Sequence, residues 1–225
     1  MTWRDLLFIH WPIKANALRD LLPPQLTLDT FDGSAWIGIV PFIMSNTRPR
    51  LSPIAMPDFP ELNVRTYVTY RGKPGVYFFS LDATSSLLVW GGRTFASLPY
   101  YNATMRAVDD GRGGTRCSSQ RTHTDAPPAQ WVARYRATGA AAPPKPGTLE
   151  HFLTERYCLY SIDPAADVLR CEVHHAPWLL QPAELEVETD TMLEQIKLAR
   201  PDTQPLVHFS QQRDVRVWWP TPAEQ

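Results

Sequence analysis

A dense β-strand pattern between Glu61 and Asp82 constrains the fold of this 225-residue chain more than any other feature. Residues 61–70 alternate polar and apolar side chains, a turn follows at residues 72–75, and residues 76–82 are again rich in aromatic and apolar residues. Such runs, bounded by turn residues, are typical of a β-hairpin. We therefore expect the fold to be organised around two adjacent antiparallel strands.

The side chains of the first strand divide into an apolar and a polar face. Successive residues of a strand point to opposite sides, so alternate positions share a face. The apolar face predicts contact with a core, and the polar face predicts either a solvated surface or the lining of a polar cavity. The polar face holds Glu61, Asn63, Arg65, Tyr67 and Thr69.

The expected turn also predicts a register for the hairpin. If residues 72–75 form a symmetric loop, Arg71 lies opposite Val76, and Arg65 then lies opposite Asp82. Directly opposed Cβ atoms are about 4.5–5.5 Å apart, so this register predicts a cross-strand ion pair between Arg65 and Asp82. The pair could equally be an ordinary surface pair worth about 0–1 kcal/mol.

Composition and charge exclude several classes of protein. The net charge is −1, with 22 basic and 23 acidic residues and no basic stripe, which argues against a nucleic-acid partner. The chain has no apolar run of the roughly 18 residues that span a membrane, and no secretion signal is visible. Three widely spaced cysteines suggest reduced thiols, so we expect a cytoplasmic protein that forms one domain over residues 1–225.

The remaining pattern predicts many short strands and few helices. About ten strands come in hairpins, which indicates an α+β, mainly antiparallel β domain that closes into a barrel or packs as a sandwich. Further hairpins are expected around Asp32-Gly33 and around residues 109–114, and a long loop over residues 45–60. Short helices are predicted over residues 13–22, after Thr84 or Ser85, over residues 149–155 behind Thr148, and from Thr189 or Asp190 to Leu198.

No motif names a cofactor or a reaction. The chain lacks the glycine-rich dinucleotide motif, the phosphate-binding loop and the Gly-x-Ser-x-Gly motif, and its histidines are scattered. We expect neither a metal nor another cofactor. Tyr100 and Tyr101 follow a Leu98-Pro99 bend, and strand alternation would direct one of the two hydroxyls to the interior, where it needs a polar partner.

Several longer motifs together resemble one family. They are Glu61-Leu-Asn-Val-Arg-Thr-Tyr-Val68, Gly75-Val-Tyr-Phe-Phe-Ser-Leu-Asp82, Leu98-Pro-Tyr-Tyr-x-Ala-x-Met105, Leu149-Glu-x-Phe-Leu-x-Glu-Arg-Tyr157 and His175-x-Pro-Trp178. This set, spread over nearly the whole chain, resembles the uncharacterised YqjF-like family. That family is similar at fold level to acetoacetate decarboxylase, which implies a mostly antiparallel barrel with a central cavity and a few short helices.

The resemblance also implies one difference from the decarboxylase. There, a Pro-Lys-Lys step supplies the lysine that forms a Schiff base, whereas the matching step here is Pro99-Tyr100-Tyr101. Such a lysine needs an apolar pocket and a neighbouring cation to lower its pKa. The four lysines of this chain lie at a turn, in a Pro-rich connection or at helix ends, so Schiff-base chemistry is not expected. They are Lys14, Lys73, Lys145 and Lys197.

Three hypotheses about function follow. In the first, the barrel cavity binds a small organic carboxylate or carbonyl compound through Arg65, Tyr67, Arg93 and Tyr100. In the second, the chain is a lysine-independent enzyme acting on a small organic acid, with catalytic candidates Glu61, Asp82, Tyr100 and Tyr101. In the third, the barrel is filled and the protein has a structural or partner-binding role. We expect a small-molecule partner, and a homo-oligomer is left open.

Overall fold

Two closed rings of strands that share five members build this protein. The computed structural model describes residues 1–48 and 52–223. The strands are β1 (Thr2–Ile13), β2 (Thr27–Leu28), β3 (Ala35–Ser45), β4 (Phe59–Tyr70), β5 (Lys73–Ala83), β6 (Tyr100–Asp109), β7 (Thr115–Arg121), β8 (Gln130–Ala137), β9 (Cys158–Ile162), β10 (Val168–His175), β11 (Gln181–Asp190), β12 (Leu206–Val217) and β13 (Thr221–Pro222). The helices are α1 (Ala15–Arg19), α2 (Ser86–Ala96) and α3 (Leu149–Thr154), with a 3₁₀ turn at Glu194–Ile196.

The larger ring contains nine strands. They follow the order β5-β6-β7-β8-β11-β12-β1-β3-β4, and β4 pairs with β5 to close the ring. All of these pairings are antiparallel except β5 with β6, which is parallel, so the barrel is mixed. Most of its interior is apolar, with fully buried Leu7, Ile9, Leu62, Val64 and Trp131. The prediction of a mainly antiparallel barrel with a few short helices is confirmed.

A smaller ring of seven strands lies on the other side of the shared wall. β9 pairs with β5, β9 with β10, and β10 with β12, while β12, β1, β3, β4 and β5 belong to both rings. Because side chains alternate along the shared strands, each strand sends one set of residues into each ring. We call the interior of the seven-strand ring the small chamber. Its apolar lining includes Trp36, Phe78, Leu81, Cys171 and Val173.

Two helices pack against the small chamber and bury residues in it. Ser85 caps α2 by accepting a hydrogen bond from the amide of Leu88 at 3.3 Å, and Val89 packs into the chamber lining. Thr148 caps α3 as expected, accepting from the amide of His151 at 3.4 Å. Leu153 of α3 is fully buried in the same lining. No helix of residues 1–48 and 52–223 is long and apolar enough to cross a membrane.

The turn of the central hairpin is shorter than expected. Tyr70 lies opposite Lys73, which leaves a two-residue turn in which Arg71 and Gly72 both have positive φ, 50° and 80°. Two-residue turns of this kind match the right-handed twist of the flanking strands, and this explains their preference over a four-residue loop. The expected loop over residues 72–75 was wrong, and the register built on it fails as well.

Other local predictions also need correction. The helix expected from Thr189 or Asp190 is instead the end of β11 followed by the 3₁₀ turn, because alternating Leu185 and Val187 pack against the large core. The helix expected over residues 13–22 is limited to α1. Asp32 and Gly33 form a tight turn, but β2 pairs with β4 rather than with β3. Residues 49–51 of the expected loop lie outside the described residues.

Candidate functional site

A row of polar side chains on β4 lines the small chamber. β4 alternates without a break, and its chamber-facing side chains follow one another every second residue. Glu61 is 2% exposed, Asn63 4%, Arg65 9% and Tyr67 0%. These side chains are buried in the interior of the seven-strand ring, so the solvated alternative for the polar face of this strand is wrong.

Glu61 and Tyr100 form a buried hydrogen-bonded pair at one end of this row. The Tyr100 hydroxyl donates to Oε2 of Glu61 at 3.0 Å. Burial raises the pKa of the Glu61 carboxyl to about 8, while hydrogen bonds from Tyr100 and Asn63 oppose the rise and the Asp82 charge adds to it. Burial also raises the pKa of Tyr100 well above its ordinary value. A carboxyl that titrates near neutral pH can both give and take a proton there.

Arg65 is a buried cation at the other end of the row. Its Nη2 donates to the carbonyl of Leu153 at 3.3 Å, and its Nε is buried without a hydrogen-bond partner. The guanidinium carbon lies 5.3 Å from the ring centroid of Phe8 and 5.8 Å from that of Tyr67. No carboxylate of the described residues forms an ion pair with it. The Nε–Nη2 edge, which suits a bidentate carboxylate, therefore carries one long bond.

His10 and Tyr67 continue the polar cluster beside Arg65. The Tyr67 hydroxyl lies 2.6 Å from Nε2 of His10 and donates to the carbonyl of Leu153 at 2.8 Å. Because the hydroxyl has one proton, that donation leaves Nε2 of His10 as the donor between the two rings and Nδ1 as a free acceptor. His10 Nδ1 is buried without a partner, and burial together with the Arg65 charge holds the pKa of His10 well below its ordinary value.

Further contacts anchor α3 over this cluster. Nε of Arg156 donates to the carbonyl of Phe152 at 2.7 Å, and its Nη1 pairs with Asp29 at 2.7 Å. The Phe152 ring packs against the Tyr67 ring at a centroid distance of 5.3 Å. The Leu153 carbonyl that receives Arg65 and Tyr67 is thus held in place from several sides.

The predicted ion pair between Arg65 and Asp82 is wrong. The two-residue turn places Arg65 opposite Phe78, and Phe79, an extra, bulged residue in β5, shifts the register beyond it so that Asp82 lies opposite Leu62. Asp82 therefore points into the nine-strand ring, on the opposite face of the wall from Arg65. There its carboxylate accepts from Nη2 of Arg121 at 2.5 Å and from Nε at 3.1 Å. Burial raises the pKa of Asp82, and the bonds from Arg121 oppose that rise.

Two other candidate residues also lie away from the small chamber. Tyr101 stacks beneath the guanidinium of Arg121, 4.1 Å from the ring centroid, and is half-buried. Arg93 is exposed on α2, where its Nη1 donates to the carbonyl of Tyr100 at 2.9 Å. The structure thus brings Glu61, Arg65, Tyr67 and Tyr100 into one chamber and separates Asp82, Tyr101 and Arg93 from them.

None of the four lysines points into the small chamber. Lys14, Lys145 and Lys197 are exposed, and Lys73 is half-buried at the start of β5, where it forms an ion pair with Glu172 at 2.6 Å. Within residues 1–48 and 52–223, no group of three histidine, cysteine or acidic side chains is arranged to hold a metal ion.

The sequence alone did not indicate His10 and Arg121 as site residues. His10 is 57 residues from its partner Tyr67, and Arg121 is 39 residues from Asp82, so neither pair could be found from local spacing. His10 does stand between the apolar residues of β1, where a buried polar side chain needs a partner. The position of His10 in this apolar run was the one sequence feature that could have indicated a buried, hydrogen-bonded histidine.

Comparison with known proteins identifies the family to which this chain belongs. Residues 1–214 match the model of DUF2071, described as an uncharacterized conserved protein. The chain is 42% identical over 219 residues to the uncharacterized protein YqjF of Bacillus subtilis (strain 168), a match that covers 96% of this chain and 89% of that protein. The resemblance to the YqjF-like family is therefore confirmed.

Solved structures share the fold at low sequence identity. The enduracididine biosynthesis enzyme MppR, complexed with pyruvate, superimposes with a TM-score of 0.68 at 13% identity, covering 99% of this chain and 89% of MppR. An acetoacetate decarboxylase gives 0.62 at 12% identity, with coverages of 97% and 89%. An acetoacetate decarboxylase-like enzyme from Sphingomonas wittichii RW1 gives 0.61 at 14% identity, with coverages of 100% and 92%. This chain is a member of the uncharacterised DUF2071 (YqjF-like) family, built on the acetoacetate decarboxylase-like fold.

Proposed function

We propose that this protein binds a small organic carboxylate, such as a 2-keto acid, in the small chamber without forming a Schiff base. Arg65 holds the carboxylate through its Nε–Nη2 edge, and Tyr67 borders the same position. Glu61 and Tyr100 stand at the far end of the polar row, where they meet the carbonyl end of the ligand. Both ends belong to the same face of β4.

The observation that carries this proposal is the uncompensated charge of Arg65. Removing an ion from water costs several kcal/mol, so buried charges are normally paired. Here Arg65 is 9% exposed, its Nε has no partner, and the neighbouring His10 is held neutral by a pKa well below its ordinary value. The Glu61 carboxyl, with a pKa of about 8, is mainly protonated at neutral pH and adds little compensating charge. A bound anion would supply the missing charge.

The spacing of residues along β4 sets the length that a ligand contacting both ends of the row must span. Residues two apart on one face of a strand are separated by about 6.6 Å, so Glu61 and Arg65 are about 13 Å apart at Cα. Asn63, whose Oδ1 is buried without a partner, lies between them and offers an amide to the middle of the ligand. MppR, which shares the fold, was solved with pyruvate, and this supports the choice of ligand class.

A thermal-shift titration with pyruvate and longer 2-keto acids tests the proposal. A ligand that binds only the folded state at a hundredfold excess over its Kd stabilises it by about 2.7 kcal/mol and raises Tm. Arg65→Met removes the charge but keeps most of the side-chain volume, and it should abolish the shift. Arg106→Met, at an exposed position of β6, is the matched control and should leave the shift unchanged.

Two outcomes would oppose the binding proposal. A keto-acid shift of equal size in Arg65→Met would remove Arg65 as the anchor. No shift with any carboxylate, in a parent protein that unfolds cooperatively, would favour the third hypothesis, a filled barrel with a structural or partner-binding role.

The Glu61–Tyr100 pair favours a second candidate function, lysine-independent proton transfer. In this reaction the Glu61 carboxylate takes a proton from the carbon next to the ligand carbonyl, and the electron pair moves to the carbonyl oxygen. Returning a proton to the same carbon completes the exchange. The Glu61 pKa of about 8 suits a general base that works near neutral pH.

Proton exchange can be followed directly by NMR. The methyl protons of pyruvate should exchange with deuterium oxide faster in the presence of the parent protein than in buffer. Glu61→Gln should reduce the rate to that of the buffer control while leaving the thermal shift with pyruvate in place. Binding without enhanced exchange would support a binding protein rather than an enzyme.

A further inference from the structure

A groove at the branch point of the two rings lies outside the small chamber. Along one edge of β5, Val76 and Tyr77 pair with β9, and Leu81 to Ala83 pair with β6. Between these contacts, residues 78–80 have no strand partner on that side within residues 1–48 and 52–223. The two rings therefore separate here and leave a gap in the sheet.

The gap opens into a groove with a volume of about 510 Å³, within the usual range for small-molecule sites. Its floor is β5, one wall is the end of β9, and the other wall is the C-terminal end of α2 with the start of β6. The Ser161 hydroxyl bridges the walls by donating to the carbonyl of Ala96 at 2.7 Å. The lining includes Tyr77, Phe79, Arg93, Tyr101, Tyr160 and Asp163.

The bulge in β5 shapes the aromatic part of this groove. Phe79 is the extra residue between Phe78 and Ser80, and bulges often redirect a side chain towards a functional surface. The Phe79 ring meets the Tyr77 ring edge to face, with centroids 5.5 Å apart. Tyr101 completes the aromatic surface. Burial raises the pKa of Tyr77, and the Tyr101 phenol adds to that rise. Three rings around one groove favour a flat aromatic occupant.

Arg93 gives the groove a cation. Its guanidinium carbon lies 5.5 Å from the Tyr101 ring centroid, and Nη1 donates to the Tyr100 carbonyl at 2.9 Å. These contacts fix the side chain and leave its other nitrogens for a ligand. The acidic residue of the lining, Asp163, already accepts the amides of Ala165 and Asp167 through Oδ1, within its own turn.

We infer that this groove is a second binding site, which takes a small aromatic molecule carrying one carboxylate. The ring packs among Tyr77, Phe79 and Tyr101, and the carboxylate meets Arg93. The groove is distinct from the small chamber, although Phe78 lines both, because Tyr101 lies beside Asp82 on the face of β5 that points away from the chamber.

Protein-observed NMR with three matched probes tests this inference. 3-(4-Hydroxyphenyl)propionate carries the ring and the carboxylate, tyramine carries the ring and a cation, and acetate carries the carboxylate alone. Only the first should shift the backbone amides of Phe79 and Ser161 in a saturable way. Arg93→Gln should weaken its affinity at least tenfold, and Arg106→Gln, at an exposed site on β6, should not change it.

The two sites can be told apart with the same measurement. Arg65→Met should leave binding of the aromatic carboxylate in the groove unchanged. Equal binding of tyramine, unchanged affinity in Arg93→Gln, or saturable shifts confined to the chamber residues would each overturn the assignment. Absence of saturable shifts at Phe79 and Ser161 with the aromatic carboxylate would overturn it as well. Arg93 is exposed, so its substitution leaves the fold intact and a negative result can be interpreted.

Discussion

The hydroxyl of Tyr100 lies 3.0 Å from Oε2 of Glu61, and both residues are buried in the small chamber. β4 supplies the carboxyl and the first residue of β6 supplies the phenol. The pair is enclosed on the side of α2, where Gly92 allows the Tyr100 ring to approach the helix. This relationship makes the stability of the protein depend on pH.

The raised pKa of Glu61 predicts a loss of stability as the pH rises. The folded-state pKa is about 8 against an ordinary value of 4.5, so the folded protein holds this proton more tightly than the unfolded chain. The stabilisation is complete below pH about 4.5 and is lost as the pH rises through about 8. The two values correspond to a change of about 4–5 kcal/mol.

Urea unfolding at pH 5, 6.5 and 8 would measure this dependence. The parent protein should lose stability over this range relative to Glu61→Gln, in which the titrating group is absent. Parallel stability profiles for the two proteins would show that Glu61 titrates near its ordinary value and would remove the basis for its role as a base.

Two adjacent glycines of α2 should respond in opposite ways to alanine. A Cβ on Gly92 would lie 2.4 Å from Cδ2 of Tyr100, whereas a Cβ on Gly91 would have nothing within 4 Å. Gly91→Ala should therefore stabilise the protein by about 0.5–1 kcal/mol through helix propensity. Gly92→Ala should destabilise it by about 1–3 kcal/mol, because Tyr100 or the helix must move.

Thermal and chemical unfolding of the two variants would test this contrast, since each serves as the control for the other. The same experiment probes the site, because displacing Tyr100 removes a hydrogen bond that lowers the pKa of Glu61. Equal stabilisation by both substitutions would mean that Tyr100 does not pack against α2.

Removing one member of the buried Asp82–Arg121 ion pair should destabilise the protein strongly, whereas replacing both members with apolar side chains should destabilise it much less. Asp82→Ala leaves the Arg121 charge buried and unpaired, so it should destabilise the protein by about 3–5 kcal/mol. The double variant Asp82→Leu/Arg121→Met removes both charges and should recover most of that loss. Glu188→Ala breaks two partly exposed ion pairs, with Arg116 at 2.9 Å and with Arg134 at 3.3 Å, and should cost about 0–1 kcal/mol for each pair.

Unfolding free energies of these variants form the test. A loss of less than 1 kcal/mol in Asp82→Ala would contradict the buried pairing. If the double variant lost as much as the single one, the carboxylate would have a role beyond balancing Arg121.

The sequence predicted the chamber-facing row but not its partners. Alternation alone places Glu61, Arg65 and Tyr67 on one face, since that depends only on β4 being a strand. The partner of Asp82 depends on a two-residue turn and on the bulge at Phe79, and each of them shifts the register. A register error moves side chains to the wrong partners, and in this hairpin it joined Arg65 to a residue on the other face of the wall.

The other contacts that the sequence did not predict depend on how strands far apart in the chain pair with one another. That Tyr100 faces Glu61 depends on the parallel contact of β6 with β5, which no local pattern reveals. The separation of Arg93 and Tyr101 from the chamber likewise depends on where the rings branch. Family resemblance predicted the barrel, but the assignment of side chains to its two interiors needed the structure.

The positions of the lysines predict that keto acids bind without a covalent link. Three of the four are exposed, and Lys73 is paired with Glu172, so none stands in an apolar pocket that would lower its pKa. Incubation with pyruvate followed by borohydride reduction should leave the intact mass unchanged apart from trace labelling spread over several lysines. Lys73→Gln should keep the pyruvate-dependent rise in Tm. A stoichiometric adduct at one lysine, located by mass spectrometry, would contradict the non-covalent mode and restore Schiff-base chemistry at that residue.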